Sequence, residues 1–263
     1  MTSQLTVLIS SCDKFSDLWD VHVRQYRQYW EADSCDTLLV TDKPTERQLE
    51  GVEIVAAGEN LDFPTRIRYA LQYVKTPYVL LTLDDYFLIA PVKADNIRAL
   101  MERTEREDIA YLSLYNRRKT NPRRYEDIRV LRPIDLEQKY AVNLYPAIWS
   151  VDFLKKTVKD DISPWLYEVS LTGVARAEGA KCFFSHTGSF EILDVVRKGK
   201  VLHKARRYLD RHGLDIGDRP TVSRMTELKL AVMDRISWYA PRGLFRLIKK
   251  IAKKCGVTFY SES

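Results

Sequence analysis

Tyr78-Val79-Leu80-Leu81-Thr82-Leu83-Asp84-Asp85-Tyr86-Phe87-Leu88-Ile89 decides the reading of this chain. Six residues of buried-strand character run into two adjacent carboxylates, and apolar and aromatic residues resume at once. Loop acids normally sit among Gly, Ser and Asn. Carboxylates inside an apolar stretch are costly to desolvate unless something pairs with them. At the end of a central strand that partner is a metal ion or a ligand. An acidic turn that merely faces water is the plainer alternative.

Working outward, Leu5 to Ser10 reads as a buried strand that stops at the polar turn Ser11-Cys12-Asp13-Lys14. Leu18 to Trp30 places Leu18, Trp19, Val21 or His22, Tyr26, Tyr29 and Trp30 at near-helical spacing. Thr37 to Val40 and Val52 to Ala56 read as further strands, and Thr65 to Val74 as a helix leading into Tyr78–Leu83. Such a βαβ succession predicts an α/β fold with a mostly parallel central sheet flanked by helices. Ligands in such sheets collect at the carboxyl ends of the strands. Ser10, Ser11, Asp13, Thr41, Asp42, Asp84 and Asp85 all fall at that edge. Downstream, Asp95–Thr104 reads as a helix, and Ile109–Leu114 and Tyr140–Leu144 as strands. Helices are expected from Phe153 and from Ser163-Pro164, and a last short strand at Cys182–Ser185.

Composition narrows the class. With 263 residues, 45% hydrophobic and 30% charged, the chain is long enough for one large α/β domain or two small ones. Cys12, Cys35, Cys182 and Cys255 are scattered, which suits neither a disulfide framework nor a zinc site. The start Met1-Thr2-Ser3-Gln4-Leu5 lacks a basic region and a long apolar run, so a cytoplasmic protein is expected. Residues 200–263 hold 15 of the 42 basic and 6 of the 36 acidic residues, a balance of +9 that leaves −3 on residues 1–199. An anionic surface, membrane or nucleic acid, is the expected partner of that end.

Taken in order, several pieces resemble the GT-A glycosyltransferases, the Rossmann-like nucleotide-sugar transferases. They are Val7 to Asp13, Arg66 to Val74, Asp84-Asp85, Leu144-Tyr145-Pro146-Ala147-Ile148-Trp149, Ser163-Pro164-Trp165-Leu166-Tyr167-Glu168 and Val195 to Lys200. The resemblance covers roughly residues 5 to 200. It implies a catalytic domain over 1–200, with a nucleotide-sugar half (1–100) and an acceptor half (101–200), then a helical basic extension over 201–263. It also implies a nucleoside-diphosphate-sugar donor, read as UDP-linked, and a divalent cation (Mn2+ or Mg2+) held by Asp85 with His186, the latter standing equally as a core or turn histidine after a strand. The family's Asp-x-Asp pattern falls here on Leu83-Asp84-Asp85, so its first acid is missing. Ser10, Ser11, Asp13, Thr41, Asp42, Arg66 and Asp84 are the expected nucleotide-binding residues, with Arg68 as an alternative to Arg66. Inversion at the anomeric carbon needs a base, and Glu168 matches the family's carboxylate. A first-turn Glu that favours the helix dipole is its plainer reading. Trp149, Trp165 and Tyr167 are the expected acceptor-side aromatics, Trp149 standing equally as a core residue.

The C-terminal segment 243–256 separates into two faces at 100° per residue. Leu244, Phe245, Leu247, Ile248, Ile251, Ala252 and Cys255 share one face; Arg246, Lys249, Lys250, Lys253 and Lys254 share the other. It reads as a helix lying at an anionic membrane surface, with a structural cap as the alternative. A lipid-linked glycan acceptor in bacterial surface-polysaccharide synthesis fits that placement. Two rivals remain at this stage. A nucleotidyltransferase needs a Gly-rich loop after the first strand, and Ser10 to Phe15 has no glycine. A nucleic-acid binder using Arg117-Arg118-Lys119, Arg123-Arg124 and the tail leaves Asp84, Asp85 and Glu168 without a role. Nucleic acid is therefore not an expected partner.

Overall fold

The computed structural model describes residues 4–30, 35–115, 131–159, 162–185 and 190–228. Two compact units result, Met1–Leu193 and Asp194–Ser263.

The first unit is built on one eight-stranded sheet. In chain order its strands are β1 (Leu5–Ser10), β2 (Thr37–Thr41), β3 (Glu53–Ala56), β4 (Tyr78–Leu83), β6 (Tyr111–Ser113), β7 (Leu131–Pro133), β8 (Ala147–Ser150) and β9 (Cys182–Ser185). A short β5 (Tyr86–Leu88) pairs instead with β10 (Ile192–Asp194). The order across the sheet is β3-β2-β1-β4-β8-β6-β9-β7. The pairs β3–β2, β2–β1, β1–β4 and β6–β9 are parallel; β4–β8, β8–β6 and β9–β7 are antiparallel. The sheet is thus mostly parallel, with its four-strand parallel half meeting the mixed half at β4.

Helices cover both faces, so the central strands are apolar on both sides. α1 (Trp19–Tyr29) and α3 (Ala94–Arg106) pack Val23, Tyr26, Ile97 and Leu100 with Val7, Ile9 and Leu80. On the other face α2 (Phe63–Ala70), α4 (Val151–Thr157) and α5 (Pro164–Ala177) pack Ile67, Leu154, Tyr167 and Leu171 with Leu8, Val79 and Leu81. The alternation of Val79, Leu80 and Leu81 between the two clusters is the period-2 signature of a strand.

Local chemistry sets the helix starts. Asp62 caps α2 by accepting the Thr65 N–H at 2.8 Å, with Pro64 in the first turn. Its other oxygen accepts the Ile162 N–H at 3.0 Å, which ties α2 to the chain entering α5. Ser150 and Ser163 cap α4 and α5 in the same way.

One expected element is displaced. Tyr140–Leu144 was read as a strand; the strand is Ala147–Ser150. Tyr140 sits at φ +57°, outside the extended region, so a strand cannot run through it. In the second unit a hairpin of β11 (Val196–Arg197) and β12 (Lys200–Val201) leads into α6 (His203–His212), which ends on left-handed Gly213. The unit begins at Asp194, and its hairpin pairs Arg197 with Lys200. Residues 229–263, which include the amphipathic segment 243–256, lie outside the described residues.

Candidate functional site

The parallel pairing brings the carboxyl ends of β1, β2 and β4 together. Ser10 is level with Leu83 on one side and with Val40 on the other. The next residue of each strand end is therefore Ser11, Asp84 and Thr41. Ser11 donates a short hydrogen bond from its hydroxyl to Asp84 Oδ2 and accepts one from Trp19 Nε1 at 2.6 Å. Asp84 is 6% exposed and Ser11 5%. A buried carboxylate is tolerated when it is hydrogen-bonded, and this relay supplies that. The Asp84 carbonyl is engaged as well, 3.1 Å from His22 Nδ1. A neutral ring with its proton on Nδ1 donates there.

His22 is fully buried, stacked on Tyr26 at 4.5 Å and edge-on to Phe87 at 5.9 Å. Burial drives its pKa down to about 3, against a smaller upward pull from the Asp84 carbonyl. Its Nε2 is buried with no hydrogen-bond partner among the described residues.

Beside this relay the chain leaves β1 into a 3₁₀ turn, Asp13–Leu18. Cys12 at its start provides no side-chain cap. Asp42, from the end of β2, accepts the Asp13 N–H instead, at 2.6 Å, and also the Thr41 hydroxyl at 3.3 Å. Partial burial pushes the Asp42 carboxyl up, but those hydrogen bonds and the Arg66 guanidinium outweigh it and hold the group below the usual range. The Cys12 thiol is pushed up by burial first, then by Asp84 and Asp42, with Arg66 opposing. Asp42, Asp84, Cys12 and Arg66 thus share one neighbourhood. Arg66 Nη1 donates to the Leu61 carbonyl at 3.0 Å, and Nε is buried without a hydrogen-bond partner among the described residues. Arg68 is exposed.

The antiparallel partner β8 brings a second set of groups to the same edge. Ala147 is level with Leu81, so the residues before it, 143–146, run past the end of β4. From α5, Glu168 Oε1 accepts the Leu144 N–H at 3.4 Å. One turn later Thr172 Oγ1 accepts the Val142 N–H at 3.1 Å. Burial, and then the Glu168 carboxylate, raise the Tyr140 hydroxyl. Asp85 and Glu168 are therefore both delivered to the carboxyl edge of β4, each half-buried.

The expected site residues separate on burial. Asp13, Asp42, Arg66, Asp85 and Glu168 are half-buried. Ser10, Ser11, Thr41 and Asp84 are at most 6% exposed. Ser11 and Asp84 serve each other, and Ser10 and Thr41 face the interior of the sheet end. Two acceptor-side aromatics are corrected. Trp149 and Tyr167 are 0% exposed: Trp149 packs edge-on to Tyr111 at 4.6 Å, and the Tyr167 hydroxyl bonds Thr157 at 2.7 Å. Neither offers a face to a sugar. Trp165, in the first turn of α5, is 52% exposed. His186 lies outside the described residues.

No protein-family model and no characterised protein matches the chain by sequence. Solved structures do match it in shape. S. aureus TarS 1-349 in complex with UDP-GlcNAc superposes with a TM-score of 0.53 at 11% identity, over 76% of this chain and 60% of that one. The mannosyltransferase PcManGT from Pyrobaculum calidifontis, in complex with GDP-Man and Mn2+, gives 0.52 at 12% identity, over 97% and 81%. The chain has a GT-A-like glycosyltransferase fold. A further S. aureus TarS structure gives 0.51 at 9% identity, and the chain spans 37% of its length. What this chain shares with TarS is one part of a longer protein.

Trp19, His22, Tyr86, Tyr115 and Tyr145 gather around this strand edge and are not among the site residues expected from the sequence. The one legible hint was a histidine inside the apolar stripe of α1, three residues from Trp19 and four from Tyr26.

His22 makes stability depend on pH. As pH falls below 6.5 the unfolded chain takes up a proton that the folded chain refuses until about 3. The folded pKa of this base is depressed, so its contribution is fully present above pH 6.5 and declines as pH falls toward 3. Urea unfolding between pH 8 and pH 4 should show a loss of up to about 1.4 kcal/mol per pH unit from this residue. His22→Asn, which keeps a donor for the Asp84 carbonyl, should remove that component of the slope.

Proposed function

We propose that this chain is a nucleotide-sugar glycosyltransferase that inverts the anomeric centre of its donor. The observation that carries the reading is the Asp84-Asp85 turn at the end of β4. Asp84 is consumed inward by Ser11, which leaves the adjacent Asp85 as the carboxylate at the edge where a nucleoside diphosphate would sit. The fold shared with structures holding UDP-GlcNAc and GDP-Man supports the same reading.

Asp85 suits a divalent cation. Among the described residues no group of three or more His, Cys, Asp and Glu could hold an ion by itself. Magnesium-type sites need no such cage, because one or two carboxylates combine with substrate phosphates and water. Asp85, with His186 as the second expected ligand, would hold the ion jointly with the donor. When bound, such an ion offsets the charge on the departing diphosphate. Arg66 and the Asp13–Asp42 pair border the nucleotide end, and Trp165 offers its exposed ring on the acceptor side.

Glu168 acts as the base. The acceptor hydroxyl oxygen attacks the anomeric carbon while the bond to the diphosphate oxygen breaks with its electron pair. The hydroxyl proton passes to Glu168, held in place through Leu144 N–H and by its position in the first turns of α5.

The donor is read as UDP-linked and the acceptor as a lipid-linked glycan of bacterial polysaccharide synthesis. The enzyme then works at the cytoplasmic face of the membrane. Among the described residues no helix is long and apolar enough to cross a bilayer. Attachment falls to residues 243–256, with five basic side chains opposite an apolar face.

Asp85→Asn should abolish release of nucleoside diphosphate from UDP-GlcNAc or GDP-mannose and weaken manganese-dependent binding of UDP or GDP, with the circular dichroism spectrum unchanged. Normal turnover in that variant would sink the assignment.

Glu168→Gln should lower turnover by about two to four orders of magnitude while donor affinity, followed by calorimetry, changes little. Unchanged turnover would hand the role to another carboxylate, Asp152 first. Retention of anomeric configuration, read by NMR of the product, would remove the need for a base there.

Deleting residues 243–263 should release the protein from anionic vesicles in a flotation assay. Binding of the full chain should weaken as salt rises, because each basic residue contributes on the order of 1 kcal/mol at an anionic surface and is screened. A full-length chain that ignores such vesicles at low salt would make the segment a structural cap.

A further inference from the structure

Three tyrosines far apart in sequence meet beside the acid turn. Tyr86, the residue after Asp85, stacks on Tyr145 with ring centroids 5.2 Å apart and planes 19° apart. Tyr145 stacks in turn on Tyr115, at 4.6 Å and 30°. Tyr145 is therefore clasped between a ring anchored to the acid turn and a ring that follows β6. Its backbone continues directly into Leu144, whose N–H is held by Glu168.

Between Tyr140 and Tyr145 the chain has no sheet ladder to define it. It is fixed by side chains. Asn143 Oδ1 accepts the Tyr145 N–H at 3.1 Å, and Asn143 Nδ2 donates to the Tyr140 carbonyl at 3.2 Å. The buried Tyr111 hydroxyl donates to the Asn143 carbonyl at 3.3 Å. Glu168 and Thr172 take the alternate N–H groups of Leu144 and Val142. The segment starts on Tyr140 in the left-handed region, a conformation that persists only where its surroundings over-determine it. Aromatic stacking holds the segment here where a ladder would hold it elsewhere.

We infer that Tyr145 is a positioning residue: through its stack on Tyr86 and its neighbour Leu144 it fixes the placement of Glu168 relative to Asp85. This rests on the roles given to Asp85 and Glu168 above. The two carboxylates come from different elements, one from the end of β4 and the other from α5. The reaction requires that the base and the leaving diphosphate lie on opposite sides of one carbon. Misplacement by about 1 Å can cost a hundredfold in rate. Tyr145 joins the two elements by the stack of its ring on Tyr86 and through the backbone of its neighbour Leu144, without meeting the proton that is transferred.

The test combines a structural and a kinetic measurement on the full chain. Hydrogen exchange followed by mass spectrometry should show the peptide carrying Val142 to Leu144 exchanging on the order of tenfold faster in Tyr145→Ala. Turnover, read as nucleoside-diphosphate release from UDP-GlcNAc or GDP-mannose, should fall by about tenfold to a hundredfold, with UDP or GDP affinity within about twofold of native. Tyr145→Phe, which keeps the ring, should recover both. Added to Glu168→Gln, Tyr145→Ala should cost nothing further, because it acts through that carboxylate. Unchanged exchange at Val142–Leu144 overturns the inference, as does an equal additional loss in the double variant. Should Tyr145→Ala not fold, Tyr86→Leu strips the stack from its other side and carries the same expectations. Native turnover in Glu168→Gln alone marks failure of the base assignment; the exchange measurement judges the stack without reference to it.

Discussion

A carboxylate buried at 6% exposure governs this structure. Unpaired, it would cost several kcal/mol of desolvation. The chain offsets that cost with a hydroxyl from the neighbouring strand end, and the hydroxyl is itself held by an indole N–H. The carbonyl of the same residue is held by a histidine from α1. These bonds tie the backbone at the end of β4 to β1 and α1. Asp85 then takes the position at the edge, and Tyr86 turns back toward the apolar interior. Of the two acids, Asp84 anchors the strand end and Asp85 lies half-buried beside it.

The same logic places the second carboxylate. The parallel half of the sheet is laid down by ladders and helix crossovers, as its strands of near-continuous apolar residues require. The mixed half reaches the edge differently. Its approach segment, 140–146, is held by Glu168, Thr172, Asn143 and Tyr111 through individual hydrogen bonds. Glu168, the proposed base, therefore also has a structural task. Asp62 works comparably, capping α2 with one oxygen and holding Ile162 with the other.

How much of this was legible depends on whether the signal was local. Leu5–Ser10, Tyr78–Leu83 and Cys182–Ser185 read correctly as strands because a buried central strand is a short apolar run with polar punctuation. Tyr140–Leu144 reads as a strand for the same reason and is not one, since φ at Tyr140 and the side-chain ties that set it are tertiary facts. Aromatic residues were the least legible. Trp149 and Tyr167 have the composition of a sugar platform, yet pack into the core with their polar atoms turned inward. Ser11 and Asp84 were placed at the right edge, but the sequence cannot say that they face each other. Trp19 and His22 looked like members of a helix stripe, which they are, and their ring nitrogens reach the site only because α1 lies over that strand end.

The capping of the turn after β1 has a consequence for how the molecule assembles. A helix start is usually satisfied by its own residues. Here the Asp13 N–H is satisfied by Asp42, 29 positions away, and the Ser11 hydroxyl by Asp84, 73 positions away. Neither bond can form from local chain motion. Both wait for β2 and then β4 to dock in parallel register on β1, and loop closure of that kind is slow compared with helix growth. The carboxyl edge of the parallel half is consequently complete only once both strands have docked on β1.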